Sequence, residues 1–136
     1  MPFCWEADPR TEDEGVVFAV DVTCHARAAG FESPTFVSRG VWVQFIGAGP
    51  GQEQRLVDTL AAAACNMSKP IKASDDGTAM LFRLRADGDT HVEVICVIDP
   101  KRDSVTFMLW REFARRPADA MLRVRVVAED ETRPRA

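Results

Sequence analysis

The sequence predicts an α+β domain, an antiparallel sheet of about five strands packed against one main helix, with a second, C-terminal helix left open. Three observations carry this expectation. Residues 41–66 pass from an alternating apolar run through a glycine-rich turn into an amphipathic repeat. Residues 79–98 follow a period of two on both sides of Asp87-Gly88, with Met80, Phe82, Leu84, Val92, Val94, Cys96 and Ile98 on the apolar positions, and Asp-Gly suits a tight hairpin. A third alternating run, 104–111, follows a turn containing Pro100.

The 136-residue length fits one domain, divided as a polar lead-in (1–14), a single α+β body (15–128) and a polar tail (129–136). Its composition, 46% hydrophobic and 28% charged, is that of an ordinary globular chain, and no apolar run approaches the ~18 residues of a membrane span. The start, MPFCWEADPR, lacks a basic stretch followed by an apolar one. That absence predicts a cytoplasmic or nuclear location.

Residues 16–24 are rich in β-branched and aromatic side chains and read as a strand, with Val16, Phe18, Val20 and Val22 on one face. Residues 26–33 read as a loop ending before Pro34, residues 35–38 as a short strand and residues 41–46 as a strong one. The glycines at 47, 49 and 51 allow a sharp turn, and a helix is expected from about Gly51 to residue 66. Its apolar stripe is Leu56, Val57, Leu60, Ala61, Ala64 and Cys65, with Glu53, Arg55, Asp58 and Thr59 opposite.

Residues 71–74 form a short strand candidate, 79–85 and 91–98 an antiparallel hairpin, and 99–103 a turn. In the third strand of this meander, Val105, Phe107 and Leu109 are expected to face the helix, with Thr106, Met108 and Trp110 on the other side. Residues 117–128 carry both signals: Leu122, Val124 and Val126 alternate as a strand does, while Pro117-Ala118-Asp119 resembles a helix start.

The chemistry-bearing residues form no evident catalytic set. Cys4, Cys24, Cys65 and Cys96 are widely spaced, without a Cys-x-x-Cys pair, and are expected to be reduced, buried small hydrophobes. Cys24, His25 and His91 lack the further partners a zinc site needs, so no metal and no cofactor is expected. The glycine loop at 47–51 is neither Gly-x-Gly-x-x-Gly nor a P-loop, which argues against a nucleotide. His25 and His91 are the only neutral-pH bases, and no serine or cysteine sits in a recognisable nucleophile motif. Net charge is −4, but its distribution is uneven: residues 6–14 hold five acids and one base, and residues 101–125 hold seven bases and three acids.

The strand ending in Phe45-Ile46, the turn with Pro50, the helix QEQRLVDTLAAAA and the run FRLRADGDTHVEVICVIDPKRDSVTFMLWREF together resemble the kinase-associated domain 1. That domain ends protein kinases of the AMP-activated, microtubule-affinity-regulating and checkpoint groups, and is similar to a region of the calcineurin-B-like-interacting kinases. The pattern covers roughly residues 31–128. It implies a non-catalytic regulatory module that docks onto a protein partner, such as a kinase domain or phosphatase, or onto acidic lipid. In the family a closing helix follows the last strand, whereas here Arg115-Arg116-Pro117-Ala118-Asp119 occupies that place. The acidic net charge favours protein over lipid and predicts no nucleic-acid partner. The contact residues expected from charge are Lys101, Arg102, Arg111, Arg115 and Arg116, since clustered arginines bind carboxylates in bidentate fashion. The alternative reading is a longin-like or roadblock-like dimerising scaffold, and a small enzyme ranks below both.

Overall fold

The computed structural model describes residues 3–5, 16–86, 88–114 and 122–126. The fold is α+β. Its sheet runs in the order β1-β8-β2-β3-β7-β6-β5-β4. The strands are β1 (Phe3–Trp5), β2 (Val16–Asp21), β3 (Thr35–Ser38), β4 (Lys72–Ala73), β5 (Ala79–Arg85), β6 (His91–Asp99), β7 (Ser104–Leu109) and β8 (Leu122–Val126). The sheet is mixed, which corrects the antiparallel expectation. β3 lies parallel to β7, and β8 lies parallel to both β1 and β2. Parallel partners are distant in sequence, so no local turn announces them.

The meander matches the expected pairing. β5 and β6 pair with Phe82 opposite Val94 and Leu84 opposite Val92, and β6 and β7 pair with Cys96 opposite Phe107. Gly88 takes the positive φ (65°) that the hairpin turn requires. Val105, Phe107 and Leu109 join the core beneath the helices, and Met108 joins the opposite face, as the alternation predicts.

Within residues 16–50, two segments differ from the sequence reading. Residues 41–46 are helical: α2 (Arg39–Val41) continues into a π-turn, Trp42–Ile46, closed by Gly47 N–H donating to the Trp42 carbonyl at 2.7 Å. Val41, Trp42 and Ile46 are buried while Val43 and Gln44 are exposed, a helical spacing inside what looks like a β-rich apolar run. The helix starts at Ser38, whose hydroxyl accepts from Val41 N–H at 3.2 Å. The second difference is α1 (Thr23–Ala28), where a strand end and a loop are expected. Asp21 ends β2 by accepting from both the backbone N–H (2.9 Å) and the hydroxyl (2.6 Å) of Thr23, which turns the chain into this helix.

α3 (Gln52–Met67) is the longest helix among the described residues and begins where expected. Its buried line is Leu56, Leu60 and Ala63, narrower than the predicted stripe, because Ala61 and Cys65 point to solvent. It shares its face of the sheet with α1 and α2, so a helical layer replaces the single main helix of the expectation. Phe82, Phe107, Val94 and Cys96 lie under that layer, in one cluster with Leu60 and Ile46 from it. Fully burying each large side chain contributes about 1.5–3 kcal/mol. The other face carries a second cluster of Val17, Ala19, Ile95, Val97, Met108 and Val124, joined by Phe113 from α4 (Trp110–Ala114). No described helix is long and apolar enough to cross a membrane.

Candidate functional site

The predicted basic residues do not come together as one cluster. Lys101 and Arg102 lie in the β6–β7 turn, where the half-exposed Arg102 has its Nε 3.7 Å from Oδ2 of the buried Asp99 and Lys101 N–H donates to Asp99 Oδ1 at 3.0 Å. Arg111 lies in α4, beyond the far end of β7. A strand rises about 3.3 Å per residue, so the two groups stand roughly 20 Å apart. Arg115 and Arg116 lie outside the described residues.

Sequence spacing missed the element that shapes this end of the molecule, because the strand reading ran through Trp110 and Arg111. The chain bends into α4 after Leu109. Glu112 holds the bend: its carboxylate accepts from Leu109 N–H at 2.8 Å, from Gly40 N–H at 3.1 Å and from the Ser38 hydroxyl. One side chain thereby ties β7 and α4 to the start of α2. Charged acceptors make such bonds stronger than neutral ones.

Beside this bend the second face of the sheet opens into an apolar groove of about 230 Å³. Leu81 and Ile95 form part of its lining from β5 and β6, and Trp110 and Phe113 contribute from α4. Ala73, Ala79, Ser74 and Lys72 complete it. Trp110 is 40% exposed and stacks on Phe113, with ring centroids 5.6 Å apart and an interplanar angle of 29°. Lys72 is its only charged lining residue among the described residues, and the exposed Arg111 follows Trp110 in α4. Ser74 is positioned by the 74–78 turn, in which Asp76 Oδ1 accepts from the hydroxyls of Ser74 and Thr78, each at 2.7 Å. The Thr78 hydroxyl, then that of Ser74 and the Thr78 N–H, pull the Asp76 carboxyl down to a pKa of about 2.

The glycine loop at 47–51 is a structural knot. Arg55 reaches back from α3 and donates to the carbonyls of Ile46, Ala48 and Pro50, while Gln52 Nε2 donates to Gly47 O at 2.6 Å. Its carbonyls therefore converge on a cation, an arrangement opposite to a cradle of N–H groups for phosphate. A second, polar pocket of about 190 Å³ lies between this helix and the end of β5, lined by Gln44, Phe45, Arg55, Asp58, Thr59, Arg85 and Ala86.

His25 sits on α1 with Nε2 3.4 Å from Glu53 Oε1, and His91 is exposed at the start of β6. They occupy separate elements. Cys24 and Cys65 are exposed, against the expectation of buried cysteines, because Cys24 lies on the outer side of the unforeseen α1 and Cys65 falls off the narrower α3 stripe. Cys96 is buried as expected, and burial raises its thiol pKa to about 12. Among the described residues no group of three or more His, Cys, Asp or Glu side chains is arranged to hold a metal ion. Comparison with protein-family models, curated proteins and solved structures returned no match.

Proposed function

We propose that the chain is a non-catalytic regulatory module that docks onto a partner protein, and that the partner inserts an apolar side chain beside Trp110. The observation carrying this reading is the open groove of the second face, with a large aromatic ring 40% exposed at one wall. Aromatic rings in such settings are the residues that dominate binding at protein interfaces. Lys72 within the groove and Arg111 next to Trp110 favour acidic residues around the inserted side chain. The resemblance to kinase-associated domains points in the same direction and suggests a kinase domain or phosphatase as partner. Lys101 and Arg102, at the far end of β7, are a separate candidate contact.

The test is capture of partners on the immobilised protein, with crosslinks mapped on both sides. Trp110→Ala is expected to lower affinity for the genuine partner by ~100-fold or more, as loss of a buried aromatic anchor does, and Arg111→Glu by about 10-fold. Undiminished binding by Trp110→Ala would sink the groove as the docking site. The scaffold alternative requires a dimer, and the mass in solution separates it: the docking module is expected to be a monomer.

A further inference from the structure

We infer that the outer edge of β5 over residues 82–85 accepts an extended acidic segment of a partner protein as an added strand. This deepens the reading of the chain as a docking module but uses a surface other than the Trp110 groove. The hydrogen-bond pattern identifies the free groups. Ala86 N–H donates to Thr90 O and Ile98 N–H to Thr78 O, so even-numbered residues of β5 bond to β6. Alternation in an antiparallel ladder then points the N–H and C=O of residues 79, 81, 83 and 85 outward. β4 uses the first two: Ser74 N–H donates to Ala79 O and Ile71 N–H to Leu81 O. It ends there because Pro70, next along its line, has no N–H to give, and β4 pairs only with Leu81 and Met80. The backbone groups of Arg83 and Arg85 are left without a strand or side-chain partner among the described residues. A row of such groups is a template for strand addition.

Charge selects the occupant. The exposed edge presents Arg83 and Arg85, with Lys69 and Lys72 exposed on the segment leading into and forming β4. Among the described residues, the acids nearby are Asp89, which pairs with Arg85 at 3.0 Å, Glu93, opposite Arg83 in register, and Asp58 in the adjoining pocket. A second copy of this chain adding edge to edge would set its Arg83 and Arg85 against the same two arginines, a repulsive cross-strand arrangement. An acidic strand meets the opposite situation. The 190 Å³ pocket beside Arg85 and Ala86 offers room for a side chain on the helical side of the added strand.

The probe is a blocked decapeptide alternating valine and glutamate, with a valine–lysine version and a version N-methylated at alternate residues as comparators. Titration into the isotopically labelled protein is followed by NMR, reading amide hydrogen exchange at Arg83 and Arg85. The expected result is binding of the glutamate peptide alone, slowed exchange at those two amides by ~10-fold or more, and reversal of the charge preference in Arg83→Glu/Arg85→Glu. Trp110→Ala leaves this binding unchanged, which separates it from docking in the groove. Absence of binding at millimolar peptide overturns the inference. So does binding that spares the two amides or tolerates N-methylation, or a dimer of the chain that protects them without peptide.

Discussion

Gly40 shows how a single position can hold two elements together. A Cβ there would lie 2.5 Å from the Glu112 carboxyl carbon and 2.8 Å from a Leu109 methyl, so only glycine lets α2 approach α4 this closely. Gly40→Ala is expected to push the carboxylate off its three donors and to destabilise the fold by roughly 2 kcal/mol. In a Glu112→Ala background the same change should cost measurably less, since the clash with the carboxylate is gone. Chemical denaturation of the four proteins tests the coupling, and additive effects would disprove it. Asp76 gives a pH signature at the same scale. Its folded pKa, about 2, lies below the ordinary 3.8, so its contribution to stability is present above about pH 4 and is lost as pH falls toward 2. Asp76→Asn should flatten the stability profile in that window. An unchanged acid limb would show that the 74–78 turn is not stabilised by the charged carboxylate.

At the scale of elements, what was legible depended on how local the signal was. The β5–β6 hairpin and β7 declare themselves by period-two alternation around Asp87-Gly88 and Pro100, and pairing between neighbours follows from short turns. The π-turn at 42–46 hid because Val41, Trp42, Val43, Phe45 and Ile46 are β-favouring residues, and the determinant of their helix is tertiary: Ser38 caps it while Glu112, far along the chain, fastens its first turn. The groove hid for a similar reason, since it joins the hairpin to a bend that the Glu112 carboxylate creates after Leu109. Basic residues were visible as types, but β7 between them carries Arg111 away from Lys101. The helix itself gives the clearest test. Leu60, 1% exposed, lies on the buried face of α3, and Leu60→Asp should unfold the domain because an unpaired buried carboxylate costs several kcal/mol. Asp58→Ala removes only an exposed hydrogen bond from Gln54 and should change stability by about 0.5 kcal/mol or less. Comparable losses from the two, measured by thermal melting, would mean that the buried stripe is misassigned.

On the scale of the whole molecule, the sheet is completed by residues from opposite ends of the sequence. β8 inserts between β1 and β2 in parallel register, pairing Val124 with Trp5 on one side and Val17 on the other. Such long-range pairing leaves no turn signal, which is why residues 117–128 carry a helix signal beside a strand alternation that only slightly outweighs it. Its energetic weight can be isolated within one strand. Val124 is fully buried in the second-face cluster with Val17, Ala19 and Met108, whereas Val126, two residues on and of the same parity, is 44% exposed. Val124→Asp places a carboxylate in that cluster and loses the apolar contact, a cost of several kcal/mol that should lower the melting temperature by about 10 °C or more, or abolish cooperative melting. Val126→Asp leaves its charge in water and should shift the midpoint by only about 2 °C. The decisive comparison is between these two variants in the same melting experiment. If Val124→Asp melts with Val126→Asp, β8 contributes little to the core despite its place between β1 and β2; if it alone collapses, the second face depends on the C-terminal strand as a core element.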